Sequence, residues 1–379
     1  MDISAYLQLM VEKDASDLFF SAGAPVNIKL QGESHPVGNT PLSPTDVHDV
    51  AWSILNDEQI AAFERDLELN LAISVAKLGR FRVNVFRQRG ETAMVVRYIK
   101  SKIPSIDELG LPEILKQLIM EKQGLILVVG STGSGKSTTL ASMINYRNEN
   151  RAGHILTIED PIEFVHEHKK SVVDQREVGL DTHSYEEALK NAMREAPDVI
   201  VIGEIRAQET MRHALHYAET GHVCLSTLHA NNANQTLERI INFFPDTAHQ
   251  ALLLDVAQHL KAIISQRLIP GIKGKRVPAV EILLNTPFIS ELIEKSRINE
   301  IKDAMEQGKF AGMQTFDQSL YMLFKEGKIT VDEALQHADS RNNLRLRLRL
   351  EDPGQFQSSE KLKIGAEVEE KPIYHPKRP

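Results

Sequence analysis

At 379 residues the chain is long enough for roughly two or three domains, each with a core of its own. Its formal net charge of -8 speaks against a protein whose main work is neutralising nucleic-acid phosphates, although it leaves room for a local basic patch. The single cysteine, Cys224, excludes an internal disulfide and a cysteine-ligated zinc site, and 42% hydrophobic with 25% charged residues is ordinary for a soluble globular protein.

The first stretch, "MDISAYLQLMVEKD", has neither a basic n-region nor a long apolar core, so it does not read as a signal peptide. The longest apolar runs, "LILVV" and "VIVI", are far too short to span a bilayer. A cytoplasmic protein is expected, with docking on a membrane complex left open.

Residues 1–100 read as a compact α+β domain without a catalytic motif of its own. "LFFSAG" and "NIKLQGE" are expected strands, broken by Gly23 and Pro25. "SPTDVHDVAWSILNDEQIAAFERD" gives two short helices, with Ser43 capping the first ahead of Pro44. "LNLAISVAKLGRFRVNVFRQRGETAMVVRYIK" gives three strands with turns near Gly79 and Gly90. Residues 101–112, carrying Pro104, Gly110 and Pro112, read as a linker.

From residue 113 to about 340 the pattern changes. Helical stretches alternate with short, almost wholly apolar runs: "GLILVVG", "HILTIED", "DVIVIGE" and "HVCLSTLH". Strands apolar on both faces belong to a parallel sheet covered on both sides, so this part is an α/β domain. After "RVPAVEILL" the chain is expected to be helical to about Ala338. In residues 341–379, "NNLRLRLRLED" alternates with a period of two and predicts a short strand with Arg345, Arg347 and Arg349 on one face. Those charges either guard a sheet edge against aggregation or form a docking strip for an acidic partner. The polar remainder, with its prolines and glycines, is expected to be disordered.

The run Gly130-Ser131-Thr132-Gly133-Ser134-Gly135-Lys136-Ser137-Thr138 contains G-x-x-x-x-G-K-[ST], led by an apolar strand and succeeded by a helix. In that context the glycines let backbone N–H groups wrap the phosphates of ATP, Lys136 reaches the β- and γ-phosphates, and the Ser137 hydroxyl ligates Mg²⁺. Ligands of parallel α/β sheets lie at the carboxyl ends of the strands, so the residues just after each apolar run are the ones to inspect. "HILTI" leads to Glu159, Asp160 and Glu163; "DVIVI" to Glu204 and Arg206; "VCLSTL" to His229, with His222 before it.

Attack on the γ-phosphorus needs an oriented water, a metal and donors that sense the phosphate. Glu204 is the Mg²⁺-side carboxylate. Glu163 is the candidate for activating the water, against the plainer reading of a surface carboxylate. His229 is placed to donate to the γ-phosphate. His222 either links that loop to the neighbouring helix or is a structural histidine. Arg194 and Arg206 read as ion-pair or interface residues, so no arginine in this part stands out for the transition-state charge. In "GRFRVNVF" the alternation puts Arg80, Arg82 and Asn84 on one face, and Arg97 ends the next strand. Arg82 and Arg97 are therefore candidates to reach a nucleotide from a neighbouring subunit, against the plainer reading of a solvated strand face.

"ASDLFFSAG", "GSTGSGKSTTLASMI", "TIEDPIEF", "MREAPDVIVIGEIR" and "AETGHVCLSTLHANNA" together resemble the secretion ATPases of the PilT/PilU type, ring-forming motors of type IV pili. The resemblance covers about residues 1–340. It implies a PAS-like domain and then a RecA-like P-loop ATPase domain, assembled as a homo-hexamer. It implies Glu163 as catalytic, Glu204 as the Walker B acid, His222 and His229 as the histidine box, and first-domain arginines completing the site. It further implies an inner-membrane pilus platform protein as partner, with no nucleic acid.

Extension and type II secretion ATPases of this superfamily carry a cysteine zinc element and a long N-terminal extension, which points here to the retraction branch and twitching motility. "FISELIEKSR" stands where the PilT group has an arginine-containing segment, and with the long tail this resembles the accessory PilU branch, dependent on a PilT-type paralogue. The rival readings are an extension ATPase, a nucleic-acid-driven motor and an ATP-binding scaffold without turnover.

Overall fold

The computed structural model describes residues 2–30, 32–308 and 312–351. These group into two compact units, one drawn from Met1–Leu268 with Val280–Thr315, the other from Ile269–Ala279 with Phe316–Pro379.

The first unit holds two sheets. The chain begins α1 (Ile3–Glu12), β1 (Asp17–Phe20), β2 (Val26–Leu30), β3 (Glu33–Val37), α2 (Pro44–Trp52), α3 (Asp57–Asp66), β4 (Glu68–Val75), β5 (Gly79–Gln88) and β6 (Glu91–Ile99). Its strands form an antiparallel sheet in the order β3-β2-β1-β6-β5-β4. The stretch "NIKLQGE" thus feeds two strands, β2 and β3, rather than one. Ser43 caps α2 in a capping box with Asp46, as Pro44 at its first turn foreshadows. Along β5, Phe81, Val83 and Val85 are fully buried, while Arg80, Arg82 and Asn84 take the other face.

Residues 101–112 are irregular, but they are not an open tether. Ile106 and Leu111 are buried in the same core as Leu115, Ile126 and Met143, and the Ser142 hydroxyl donates to the Pro104 carbonyl over 2.7 Å.

Next come α4 (Ile114–Ile119), β7 (Gly124–Val129), α5 (Lys136–Asn150), β8 (Gly153–Glu159), β9 (Ser171–Glu177), α6 (Tyr185–Ala192), β10 (Val199–Ile202), α7 (Gln208–Glu219), β11 (Val223–Leu228), α8 (Ala233–Asn242), α9 (His249–His259), β12 (Leu260–Pro270), β13 (Arg276–Leu284), α10 (Pro287–Glu294) and α11 (Ile301–Gln307). The second sheet has the order β13-β12-β7-β11-β10-β8-β9. The pairs from β12 through β9 are parallel. Every residue of β7, β10 and β11 is buried, as strands covered on both faces require. All carboxyl ends of the parallel strands therefore face one edge, and that edge is where the candidate site lies.

In the second unit, α12 (Phe316–Lys325), α13 (Val331–His337) and α14 (Arg341–Glu351) close over Ile269, Ala279, Leu320 and Leu335. The expected strand at "NNLRLRLRLED" is instead the helix α14. Leucine and arginine are strong helix formers, and the i, i+4 pair Leu344 and Leu348 supplies a buried stripe of helical period, whereas a strand would have turned all four leucines to one face. Leu346 and Leu350, on the far side, are 58% and 73% exposed. Arg347 stacks on Tyr321 and pairs with Glu351. The expectation of a disordered tail falls on residues 352–379, outside the described ones.

Candidate nucleotide site

The loop between β7 and α5 is shaped by its glycines. Gly133 and Gly135 have φ of 77° and 91°, in the left-handed region that glycine alone adopts freely. At Gly130 an added Cβ would stand 2.4 Å from the Ser134 hydroxyl and 2.5 Å from the Gln266 carbonyl, so the loop closes only on glycine. Ser131, Thr132 and Gly133 are exposed at the loop's crest, and Ser137 and Thr138 are half-buried in the first turn of α5. The Lys136 ammonium donates to the carbonyls of Gly130 and Ser131 at 2.9 and 3.0 Å. Burial pulls its pKa below the ordinary lysine value, with Glu204 opposing. Ser134 is only 3% exposed and its hydroxyl has no partner, a buried donor beside a cradle of amides, which suits an anion. Thr139 donates to the Gln266 side chain at 2.6 Å and so ties α5 to β12.

The ends of β10 and β11 are stitched together. The Thr227 hydroxyl donates to the Gly203 carbonyl at 2.6 Å, and the Ser226 hydroxyl to that of Ile202 at 2.8 Å. This places Glu204 between Arg206 Nε at 2.7 Å and His229 Nε2 at 3.1 Å. The pairing raises the Arg206 pKa. That of His229 is held below the ordinary histidine value, first by burial and then by the Lys136 charge, with Glu204 opposing. A cavity of about 440 Å³ beside the loop is lined by Gly130, Ser131, His229, Asn231 and Arg239. Arg239, on α8, is thus an arginine within this sheet domain that the sequence reading passed over.

β8 ends at Glu159, whose carboxylate accepts from Thr157 at 2.7 Å and Gln175 at 3.2 Å; burial nevertheless raises its pKa. The chain then turns through a cis Asp160–Pro161 bond to the buried Ile162 and the exposed Glu163. Glu163 faces a second cavity, of about 490 Å³, together with Arg82, Arg97, Thr138 and Phe164. The arginines of the first sheet and Glu163 of the acidic box thus line one cavity within this chain.

Arg82 and Arg97 are direct cross-strand partners. Like charges so placed repel, and each has its own carboxylate: Asp17 at 2.8 Å from Arg97, Glu177 at 3.7 Å from Arg82.

His222 is not brought to this edge. It precedes β11, whereas His229 comes after it, and the six intervening residues of strand separate the two by roughly 20 Å. Its Nδ1 lies 3.2 Å from the Thr220 hydroxyl and 3.3 Å from the Tyr217 carbonyl. Arg194 is exposed and bonds only locally, to Asn191 at 3.1 Å.

Three further residues belong to the site. Glu177 ends β9, where the strand-end rule finds it once that strand is counted; Gln266 lies within β12, and the rule does not reach it. The amphipathic "SVVDQRE" hid the first. Tyr185 carries its hydroxyl to Gly203, where an added Cβ would lie 2.9 Å away, and burial together with the acids around it pushes the phenol pKa up.

Residues 3–341 match the family described as "Type II/IV secretion system protein". The chain is 53% identical to a Pseudomonas aeruginosa protein named "Type IV pilus ATPase PilU", over 92% of each chain. It is 43% identical to the same organism's "Type IV pilus retractation ATPase PilT", over 89% of this chain and 98% of that one. A crystal structure described as "the Pilus Retraction Motor PilT and Bound ADP" superposes with a TM-score of 0.84 at 41% identity, covering 90% of this chain and 98% of its own.

Proposed function

Because this chain belongs to the type II/IV secretion system protein family, we propose that it is an ATP-hydrolysing motor of type IV pilus retraction, of the PilU kind. The observation that carries this reading is the convergence of the phosphate loop, the Glu204–His229 pair and the Glu163–Arg82 cavity on one edge of one parallel sheet. The greater identity to PilU than to PilT of one organism, 53% against 43%, supports the branch.

In this reading the loop amides, Lys136 and the Ser134 hydroxyl bind the phosphates of ATP. The hard oxygen donors of Ser137 and Glu204 would hold Mg²⁺, which supplies neutralising charge to the phosphates. Glu163 accepts the proton of the attacking water at its carboxylate. Arg82, with Arg97 beside it, offsets the charge that develops as the γ-phosphoryl leaves, and neutral His229 donates to it. The products are ADP and phosphate. The PAS-like sheet of residues 1–100 would move against the ATPase sheet at the few residues ahead of Pro104, where the linker is not yet anchored.

Six copies would form the ring, acting on an inner-membrane platform protein from the cytoplasmic side and together with a PilT-type paralogue. Among the described residues no helix is long and apolar enough to cross a membrane, which agrees with peripheral attachment.

The test is Mg·ATP hydrolysis by the purified chain over a range of protein concentrations, with Glu163→Gln as control. Cooperative activity that the substitution abolishes supports a self-sufficient motor. Nucleotide binding without turnover at any concentration, restored by a PilT-type partner, supports the accessory role; no binding at all overturns both.

A further inference from the structure

We propose that Glu177 is a positioning residue for hydrolysis, coupling Arg82 on the first sheet to the loop that carries Glu163. The inference rests on the role proposed above for Arg82.

Glu177 is 4% exposed, and a carboxylate so buried must be compensated. One oxygen accepts from the Ile162 backbone N–H at 3.3 Å; the other faces Arg82 Nε at 3.7 Å. Arg82 in turn donates from Nη2 to the Ile162 carbonyl at 3.4 Å. The three residues close a circuit immediately before Glu163, so the base candidate and the arginine are located by the same carboxylate.

The circuit also answers an electrostatic need. Arg97 stands directly across from Arg82 and has Asp17 for itself, while Glu177 is the foremost of the anions that offset the burial of Arg82, ahead of Glu163 and Asp160. Its hold is directional but loose. The ion pair is long, and Arg82 Nε is buried without a hydrogen bond. A guanidinium kept in place this way is free to hand its charge to a phosphate without first breaking a short bidentate pair.

Three variants of the full chain test this: Glu177→Gln, Arg82→Ala and the double. Glutamine keeps the volume and an acceptor for Ile162 N–H while removing the charge. The expected result is a kcat about tenfold or more lower with KM changed by less than about threefold, and a double variant no slower than Arg82→Ala alone. Wild-type turnover in Glu177→Gln, or effects that multiply in the double, overturns the proposal. If Arg82→Ala is slow while Glu177→Gln is normal, this inference fails and the reading of Arg82 stands. If Arg82→Ala is itself silent, both fall. Glu177→Asp, which keeps the charge and shortens its reach, serves should the glutamine variant not fold: a loss that persists on the Arg82→Ala background overturns the coupling equally.

Discussion

Nε2 of His229 lies 3.1 Å from Oε1 of Glu204, across the ends of the neighbouring strands β11 and β10. The other carboxylate oxygen is taken by Arg206 at 2.7 Å. Glu204 is therefore held from two sides, and the imidazole stands among cations that oppose its protonation.

The first prediction concerns pH. The His229 pKa lies below 6.5, so the neutral ring persists into mildly acidic solution and protonates only below that value. If the neutral ring is the working form, the acid limb of kcat/KM falls below pH 6.5, and His229→Asn removes it. A limb centred above 6.5, or one unchanged in the variant, assigns the titration elsewhere.

Glu163 faces the cavity shared with Arg82 and is otherwise exposed. Exchange for glutamine should lower kcat by about 10² to 10⁴ and leave nucleotide affinity nearly unchanged. Calorimetric titration beside a hydrolysis assay separates the two. An equal loss of binding would make Glu163 a ligand rather than a base.

Gly203 is closed in by the Tyr185 hydroxyl at 2.9 Å and the Glu159 Cα at 3.2 Å from any added Cβ. Gly203→Ala should destabilise by about 1–3 kcal/mol, and Tyr185→Phe on that background should return part of it. Denaturant midpoints of the two singles and the double give the coupling. Strict additivity would mean that the backbone contact, not the phenol, sets the limit.

Much of the site was legible because one rule, inspecting the residues just after each apolar run, needs only that the strands be parallel. It found Glu163, Glu204 and His229, and these share an edge with Lys136, which the phosphate-loop pattern had already marked. It failed where the pattern weakened. β9, at the sheet's rim, carries only two apolar residues, Val172 and Val173, so it makes no apolar run and Glu177 at its end went unread. The resemblance groups His222 with His229, yet strand geometry places them at opposite ends of β11. The period of two in α14 misled because alternation is also what a helix of leucine and arginine shows when only every second leucine is buried. Which first-sheet arginine meets the acidic box is a tertiary fact that spacing does not encode.

His166 is buried with its Nδ1 unpartnered, and its pKa is pushed down to about 4 by burial, with Lys169 adding to the shift. A depressed histidine favours the neutral form in the fold, so its contribution is complete above 6.5 and is lost as pH falls from there toward 4. From 6.5 to about pH 5 the loss should be about 2 kcal/mol. In His166→Leu the fall in urea midpoint over this range should be shallower; an identical slope would place the acid sensitivity in other groups.

In the second unit, Leu348 is fully buried and Leu350 is largely exposed two residues on. Leu348→Ala should cost about 2–4 kcal/mol, whereas Leu350→Ser should stay within about 0.5 kcal/mol. Comparable effects, read from denaturant unfolding, would contradict the helical register.

β11 joins His222 to His229 through six buried residues with a strand hydrogen-bonded on either side. Such a segment has no slack. It is already extended, and its flanks stop it from buckling. The ladders that stop buckling also pin β11 to β10 and β7, so its two ends can shift only together with the sheet around them. Whatever touches His222 therefore acts on the rigid body of the sheet and not on His229 alone.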